Sequence, residues 1–305
     1  MTSISVKNSE IIKDLMLGII DYAGLFPPAK LDMPEAFSNY LQYRKSEYAW
    51  ALGRFIVPVS RLSQFEQAAS DLIGEENINP IQLSTLTDDE PVKALTRISD
   101  FNNGFFSAGR NVIIDTIEIK APSSDDILKW NDLLPRHLRA YYEIPLNSSI
   151  EESIEAISLS GECAKVRTGG VTPEVFPAVG DLLRFIETCS RMNVPFKATA
   201  GLHHPVRGEY NFTYEKNSAQ GLMFGFLNLF LTALFLHDGM SVSEASYLLT
   251  EDSPSAFRFD DQGITWRGFS LDIEQIRSGR ENFAISFGSC SFTEPINDLK
   301  SFNLL

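Results

Sequence analysis

The feature that most constrains this chain is a rhythm. Eight apolar runs of strand length recur along its 305 residues: Leu17–Tyr22, Arg54–Val59, Ile81–Thr85, Val112–Ile119, Leu138–Ile144, Cys163–Arg167, Val194–Thr199 and Phe283–Phe287. Helical patterns stand between them, among them Pro34–Lys45, Leu62–Ile73, Ser124–Leu133, Ile150–Ser160 and Thr172–Arg191, the last opened by Thr172-Pro173-Glu174. Successive strands joined through helices cross over, and crossovers produce parallel sheets. Eight strands with seven crossovers predict an α/β fold closed into a (β/α)8, or TIM, barrel.

One connection breaks the rhythm. The interval 208–282 is longer than a barrel crossover needs, so it is read as an insertion between the seventh and eighth strands, with residues 1–207 and 283–305 forming the barrel. It contains an apolar run, Gly221–Leu236, a second helix near Ser241–Leu249, and a hairpin over Phe257–Trp266 that turns at Asp261-Gln262-Gly263. The apolar run is sixteen residues long, short of the ~20 that cross a bilayer, so it reads as a buried or interface helix and not as a membrane span. The insertion is expected either beside the barrel mouth or on the outer wall, where it would join a second copy of the chain.

Charge narrows the partners. With 40 acidic and 26 basic side chains the formal net charge is −14, and no cluster of Lys and Arg could follow a phosphate backbone, so no nucleic-acid partner is expected. Cys163, Cys189 and Cys290 are odd in number and far apart, which argues against a disulfide framework or structural zinc and fits a reducing, cytoplasmic compartment. Lys7, Glu10, Lys13 and Asp14 interrupt what would have to be the apolar stretch of an export signal.

Two lysines occupy strand interiors that normally exclude ammonium groups: Ala164-Lys165-Val166-Arg167-Thr168-Gly169-Gly170 and Phe196-Lys197-Ala198-Thr199-Ala200-Gly201. On adjacent strands, each cation would disfavour the other and release a free amine, the nucleophile of Schiff-base chemistry. Arg167 shares the face of Lys165 and adds a charge that cannot be lost. The structural alternative is that the lysines snorkel to the rim or pair with barrel carboxylates. Such carboxylates exist: Asp21, Asp115, Glu118 and Glu143. Any could move a proton, and any could instead be an ion-pair partner. Asp115 and Glu118, three apart, would face opposite sides of a regular strand, so only one is expected to look into the barrel.

Small residues end the last strand, Phe287-Gly288-Ser289-Cys290-Ser291, ahead of a helical Glu294–Phe302, an arrangement that can cradle an anion or simply make a tight turn. Cys290 by itself reads as an inert thiol. His203-His204 follow the second lysine strand. Adjacent histidines point apart in extended chain, so they read as loop residues near substrate, and no metal or other cofactor is assigned.

Taken in order, these landmarks resemble the deoxyribose-phosphate aldolase family, class I aldolases on a (β/α)8 barrel. Ile20-Asp21-Tyr22-Ala23-Gly24-Leu25-Phe26-Pro27 is similar to its opening strand, and Tyr142-Glu143 to the end of its fifth. The resemblance implies that Lys165 forms the imine, Lys197 tunes it and Asp115 relays protons. It further implies that Gly169, Gly201, Ser289 and Ser291 hold a substrate phosphate. The chain departs from the family pattern at Arg167, at Ala200-Gly201 in place of a glycine pair, at His203, and in the 208–282 interval. The expected function is therefore a Schiff-base lyase of the aldolase type acting on a small aldehyde or ketone. Lys165, Lys197 and Asp115 would be catalytic, and Asp21, Glu143, Arg167, Thr168, Gly169, Gly201, His203, Ser289 and Ser291 would bind substrate. Two rivals stand beside it: an isomerase or hydrolase using Arg167, the histidines and a carboxylate, with or without a divalent metal, and a non-catalytic barrel whose insertion serves assembly.

Overall fold

The computed structural model describes residues 5–73 and 80–305. Seven strands come first: β1 (Ile20–Tyr22), β2 (Leu52–Pro58), β3 (Ile81–Thr87), β4 (Val112–Lys120), β5 (Arg139–Glu143), β6 (Cys163–Arg167) and β7 (Phe196–Thr199). Five short ones follow, β8 (Gly208–Asn211), β9 (Gln220–Met223), β10 (Phe257–Asp260), β11 (Gly263–Trp266) and β12 (Phe269–Leu271), and then β13 (Ala284–Ser289). β1 to β7 and β13 close into a ring in the order β1-β13-β7-β6-β5-β4-β3-β2, all neighbours parallel. This is the eight-stranded barrel that the alternation predicts.

Among the described residues, eleven α-helices accompany the strands: α1 (Ser5–Met16), α2 (Met33–Tyr43), α3 (Leu62–Leu72), α4 (Pro91–Ser107), α5 (Ser124–Asn131), α6 (Ile150–Ser160), α7 (Val179–Arg191), α8 (Phe226–His237), α9 (Val242–Leu249), α10 (Ile273–Asn282) and α11 (Thr293–Ser301). Local chemistry sets many of their ends. Asp32 caps α2 by accepting the Glu35 N–H at 2.9 Å, and Pro34 sits in the first turn, where its missing N–H costs nothing. Asp272 and Gln275 form a reciprocal capping box on α10, and Gly161 ends α6 in the left-handed region at φ 73°. The helix expected over Thr172–Arg191 breaks in two. Pro173–Val175 makes a single 3-10 turn and α7 starts only at Val179, because Pro177 forces Phe176 into extended backbone.

The apolar core lies between the ring and its helices. Phe55 of β2 meets Phe37 of α2 at 5.8 Å and Phe65 of α3 at 6.1 Å between ring centroids, and Phe101 of α4 continues the cluster. The apolar run is α8, whose residues from Phe226 to Leu236 are all buried, packed against α7, α9, α10 and β13. Its one amide, Asn228, is fully buried and saturated: it accepts the Arg207 N–H and donates to the Leu248 and Glu251 carbonyls. β10 and β11 form the expected hairpin, Asp260 pairing with Gly263, and β12 adds a third strand. Among the described residues, no helix is long and apolar enough to cross a membrane.

Candidate active site at the barrel mouth

Two lysines stand side by side in the barrel wall. Lys165 of β6 is the register partner of Lys197 of β7, and Glu143 of β5 is the register partner of Lys165. Their side chains are only 2% and 1% exposed, so each ammonium needs anions in direct contact. One carboxylate serves both: Glu118 Oε2 lies 2.8 Å from Lys165 Nζ and Oε1 lies 2.7 Å from Lys197 Nζ. Glu143 completes Lys165 at 2.7 Å and Asp21 completes Lys197 at 2.6 Å. Ser84 donates its hydroxyl to Glu118, and Ser286 donates to Asp21. A network that joins β1, β3, β4, β5, β6, β7 and β13 can lie only inside the ring.

The expected mutual weakening of two amines is corrected at Lys197. Burial works against its charge, yet Asp21 and Glu118 outweigh burial and raise its pKa above the ordinary lysine value. Burial likewise opposes the Glu118 carboxylate, and the Lys165 and Lys197 cations overcome it, holding this group well below the usual range. Glu143 is also lowered, against burial, by Lys165 and then Arg167. The physical reason is that strand spacing brings the two amines to one level, while ring closure brings a carboxylate between them. Lys197 is a fixed cation inside an ion-pair lattice and not a free base.

Asp115 does not reach the lysines. It forms a two-pronged pair with Arg54, 2.7 Å to Nε and 2.8 Å to Nη2, and accepts a further bond from Gln82. Arg54 and Gln82 share the inward face with Ile56 and Ser84, two residues nearer the strand N-termini, so Asp115 sits below the lysine layer. A register shift in β4, where Leu83 pairs with Ile114 but Ser84 with Thr116, inserts an extra residue at Asp115. This irregularity lets Asp115 and Glu118 both turn inward, contrary to the expectation from strict alternation.

Above the lysines, at the C-terminal ends of the strands, opens a cavity of about 300 Å³. Glu118, Lys165, Arg167, His203 and Cys290 are its charged or titratable lining; Phe26, Ile56, Leu86 and Val175 are among its apolar walls. A second lobe of about 410 Å³ shares Phe26, Leu86, Glu118, Lys165 and Arg167 and extends to Glu143, Asp88 and Asp89. Lys165 therefore contacts the open space, and Lys197 lies behind it. Arg167 is half exposed and loosely held, 3.5 Å from Glu143 and 3.4 Å from the Gly169 carbonyl.

Where the resemblance implies a phosphate cradle, the Phe176 ring packs against two of its glycines. A Cβ on Gly169 would clash with the Phe176 ring, and one on Gly201, at φ 73°, would lie 3.0 Å from the same ring. Ser289 Oγ accepts the Ser291 N–H, and Ser291 Oγ accepts the Glu294 N–H at the start of α11. Thr168 spends its hydroxyl on the Ala200 carbonyl at 2.6 Å. Of the residues expected to bind substrate, Glu143, Arg167 and His203 line the two lobes; Asp21, Thr168, Gly169, Gly201, Ser289 and Ser291 support the walls.

His203 and His204 do not converge. Glu294 Oε2 takes His203 Nδ1 at 3.0 Å and the Tyr214 hydroxyl at 3.0 Å, whereas His204 Nδ1 pairs with Asp298 at 2.6 Å. With Nδ1 engaged, Nε2 is the His203 nitrogen left for a molecule in the cavity, the geometry of a carboxylate-oriented acid or base. Cys290 lines the same cavity, and burial pushes its thiol up, which suits an inert side chain. Glu294, Phe176 and Leu86 carry no signal in the sequence that ties them to the lysines; Glu118 is visible only as one carboxylate of several.

Comparison with known proteins adds no family. No family model matches the chain, and no curated protein does. Among solved structures, one described as nitroalkane oxidase from Streptomyces ansochromogenes superposes with a TM-score of 0.32 and 12% identity. The match covers 64% of this chain and 61% of that one, and a likeness this slight carries no argument. What stands is the barrel, a fold that suits an enzyme and whose characterised enzymes keep their sites at the strand C-termini.

Proposed function

We infer that this chain is a Schiff-base-forming lyase of the aldolase type, with Lys165 as the nucleophile. One observation carries the reading: Lys165 touches the cavity while sharing Glu118 with a second, fully buried lysine. The ordered resemblance to deoxyribose-phosphate aldolases supports it independently. Glu143, not Asp115, is the proton carrier this reading favours, since its oxygen is 2.7 Å from Lys165 Nζ and it lines the second lobe. The ammonium passes a proton to Glu143, and the amine attacks the carbonyl carbon. Returning that proton to the carbinolamine expels water and leaves an iminium. When the neighbouring C–C bond breaks, its electron pair enters the iminium and yields an enamine, as a base removes the β-hydroxyl proton and an aldehyde departs. His203, oriented by Glu294, suits that base. Protonation of the enamine carbon and hydrolysis restore Lys165. Lys197, held cationic, keeps Glu118 ionised throughout.

The test is borohydride reduction in the presence of small carbonyl compounds, with peptide mapping of the product. A reduced adduct on Lys165, absent from Lys165→Ala, is expected; an unmodified Lys165 with every compound that turns over defeats the reading. The His203–Glu294 pair also supports a second reading, acid/base isomerisation or hydrolysis on the same cavity. That reading requires turnover to survive Lys165→Ala.

A further inference from the structure

Resting on the imine reading, we propose that the compound taken by Lys165 is a short, unphosphorylated 2-oxo acid whose carboxylate lies on Arg167. Arg167 follows Lys165 by two residues on one strand, so both side chains point to the same open space. A 2-oxo acid has the same adjacency, a carbonyl carbon bonded directly to a carboxylate.

Charge in the two lobes directs the acid group. Glu118 has both oxygens on lysines at 2.7 and 2.8 Å, so its charge is spent. Glu143 gives its close contact, 2.7 Å, to Lys165 and only a 3.5 Å contact to Arg167, whose other bond is the 3.4 Å one to Gly169. The guanidinium thus keeps donors for a two-pronged bond to a planar carboxylate, which a lysine could not make. In the first lobe Glu118 is the single carboxylate of the lining; the second lobe adds Asp88, Asp89 and Glu143 against one further cation, Lys120, which is paired with Asp88 at 2.9 Å, so what it adds is net negative and favours uncharged or hydroxylated parts there.

Packing disfavours a phosphate at the place the resemblance implies. The Phe176 ring packs against Gly169 and Gly201, the glycines where an anion cradle would have to form. Ser289 and Ser291 each accept a backbone N–H, from Ser291 and Glu294, in the turn that leads into α11.

Borohydride trapping with pyruvate, acetone and glycolaldehyde phosphate on wild type and Arg167→Gln separates the outcomes. Pyruvate should label Lys165 fastest in wild type, and Arg167→Gln should slow pyruvate labelling by about 10- to 100-fold, the loss of one charge-assisted contact. Acetone labelling should persist in the variant, showing that it folds and that Lys165 still reacts. If acetone or glycolaldehyde phosphate labels wild type as fast as pyruvate, or if the preference for pyruvate survives Arg167→Gln, the oxo-acid assignment is overturned while the Lys165 imine stands. If none of the three labels Lys165, the imine reading falls and takes this proposal with it.

Discussion

At the scale of single residues, the site is a problem in buried charge. Lys165, Lys197 and Arg167 face Asp21, Glu118 and Glu143, so the six formal charges cancel. Glu118 is the linchpin because each of its oxygens holds a different lysine. Glu118→Gln keeps the shape and removes the charge, leaving two ammonium groups in low dielectric with one anion each. Breaking a buried pair from one side costs about 3–5 kcal/mol, and urea denaturation of this variant should show a loss of that order. The same variant should also slow imine trapping, since Glu143 alone then holds Lys165 beneath the cavity. Asp115→Asn provides the contrast. It weakens a pair with Arg54 that lies below the lysine layer, so adduct formation on Lys165 should remain within about 3-fold of wild type, below half of a tenfold step in energy. A large loss of labelling in Asp115→Asn would return the proton relay to Asp115.

At the scale of elements, the same residue type does opposite work in different places. α8 is apolar on every side because it is covered on every side, and Asn228 within it ties the Arg207 N–H to the carbonyls of Leu248, in the last turn of α9, and Glu251, just past it. Asn228→Leu would fill the space but leave the Arg207 N–H and the Glu251 carbonyl without this partner, at about 1–3 kcal/mol for each, while the Leu248 carbonyl keeps the Glu251 N–H. A fall in the thermal midpoint with the lysine adduct still forming is the expected result. β4 shows a second lesson. Eight strands, five helices, the apolar helix and the hairpin are legible because period and turn chemistry are local properties of the chain. The extra residue at Asp115 is not, since a bulge is a relation between two strands and leaves no mark on one of them. It is why strict alternation misjudged which carboxylates turn inward. Pro177, in contrast, is a local signal that the helical reading of 172–191 passed over, and it overrides that period.

At the scale of the whole molecule, the charged lattice makes global stability depend on pH in a way its groups dictate. Glu118 and Glu143 have folded pKa values lowered by their lysines, so their contribution is present above the unfolded value of about 4.3 and is lost as pH falls through the folded ones. Lys197 is raised, so its contribution is complete below about 10.4 and is lost as pH rises through its folded value. These three groups therefore add no slope between about pH 6 and 9, and they steepen the acid limb. Urea midpoints measured from about pH 3 to 10 should show this, with a shallower acid limb in Glu118→Gln. An acid limb unchanged by that substitution would mean that Glu118 is not held below its ordinary range.

What the sequence determined by itself is the barrel, the order of its strands and the presence of two lysines on neighbouring ones, because periodicity, caps and strand spacing are written within a few residues of each other. What only the tertiary structure decided is which charges meet. Ring closure set Glu118 of β4 between lysines of β6 and β7, put Asp21 against Lys197 from across the first and last strands, and carried Glu294 to His203. A buried cation takes its character from the anions packed against it, and those anions come from segments whose distance along the chain says nothing of their distance in space.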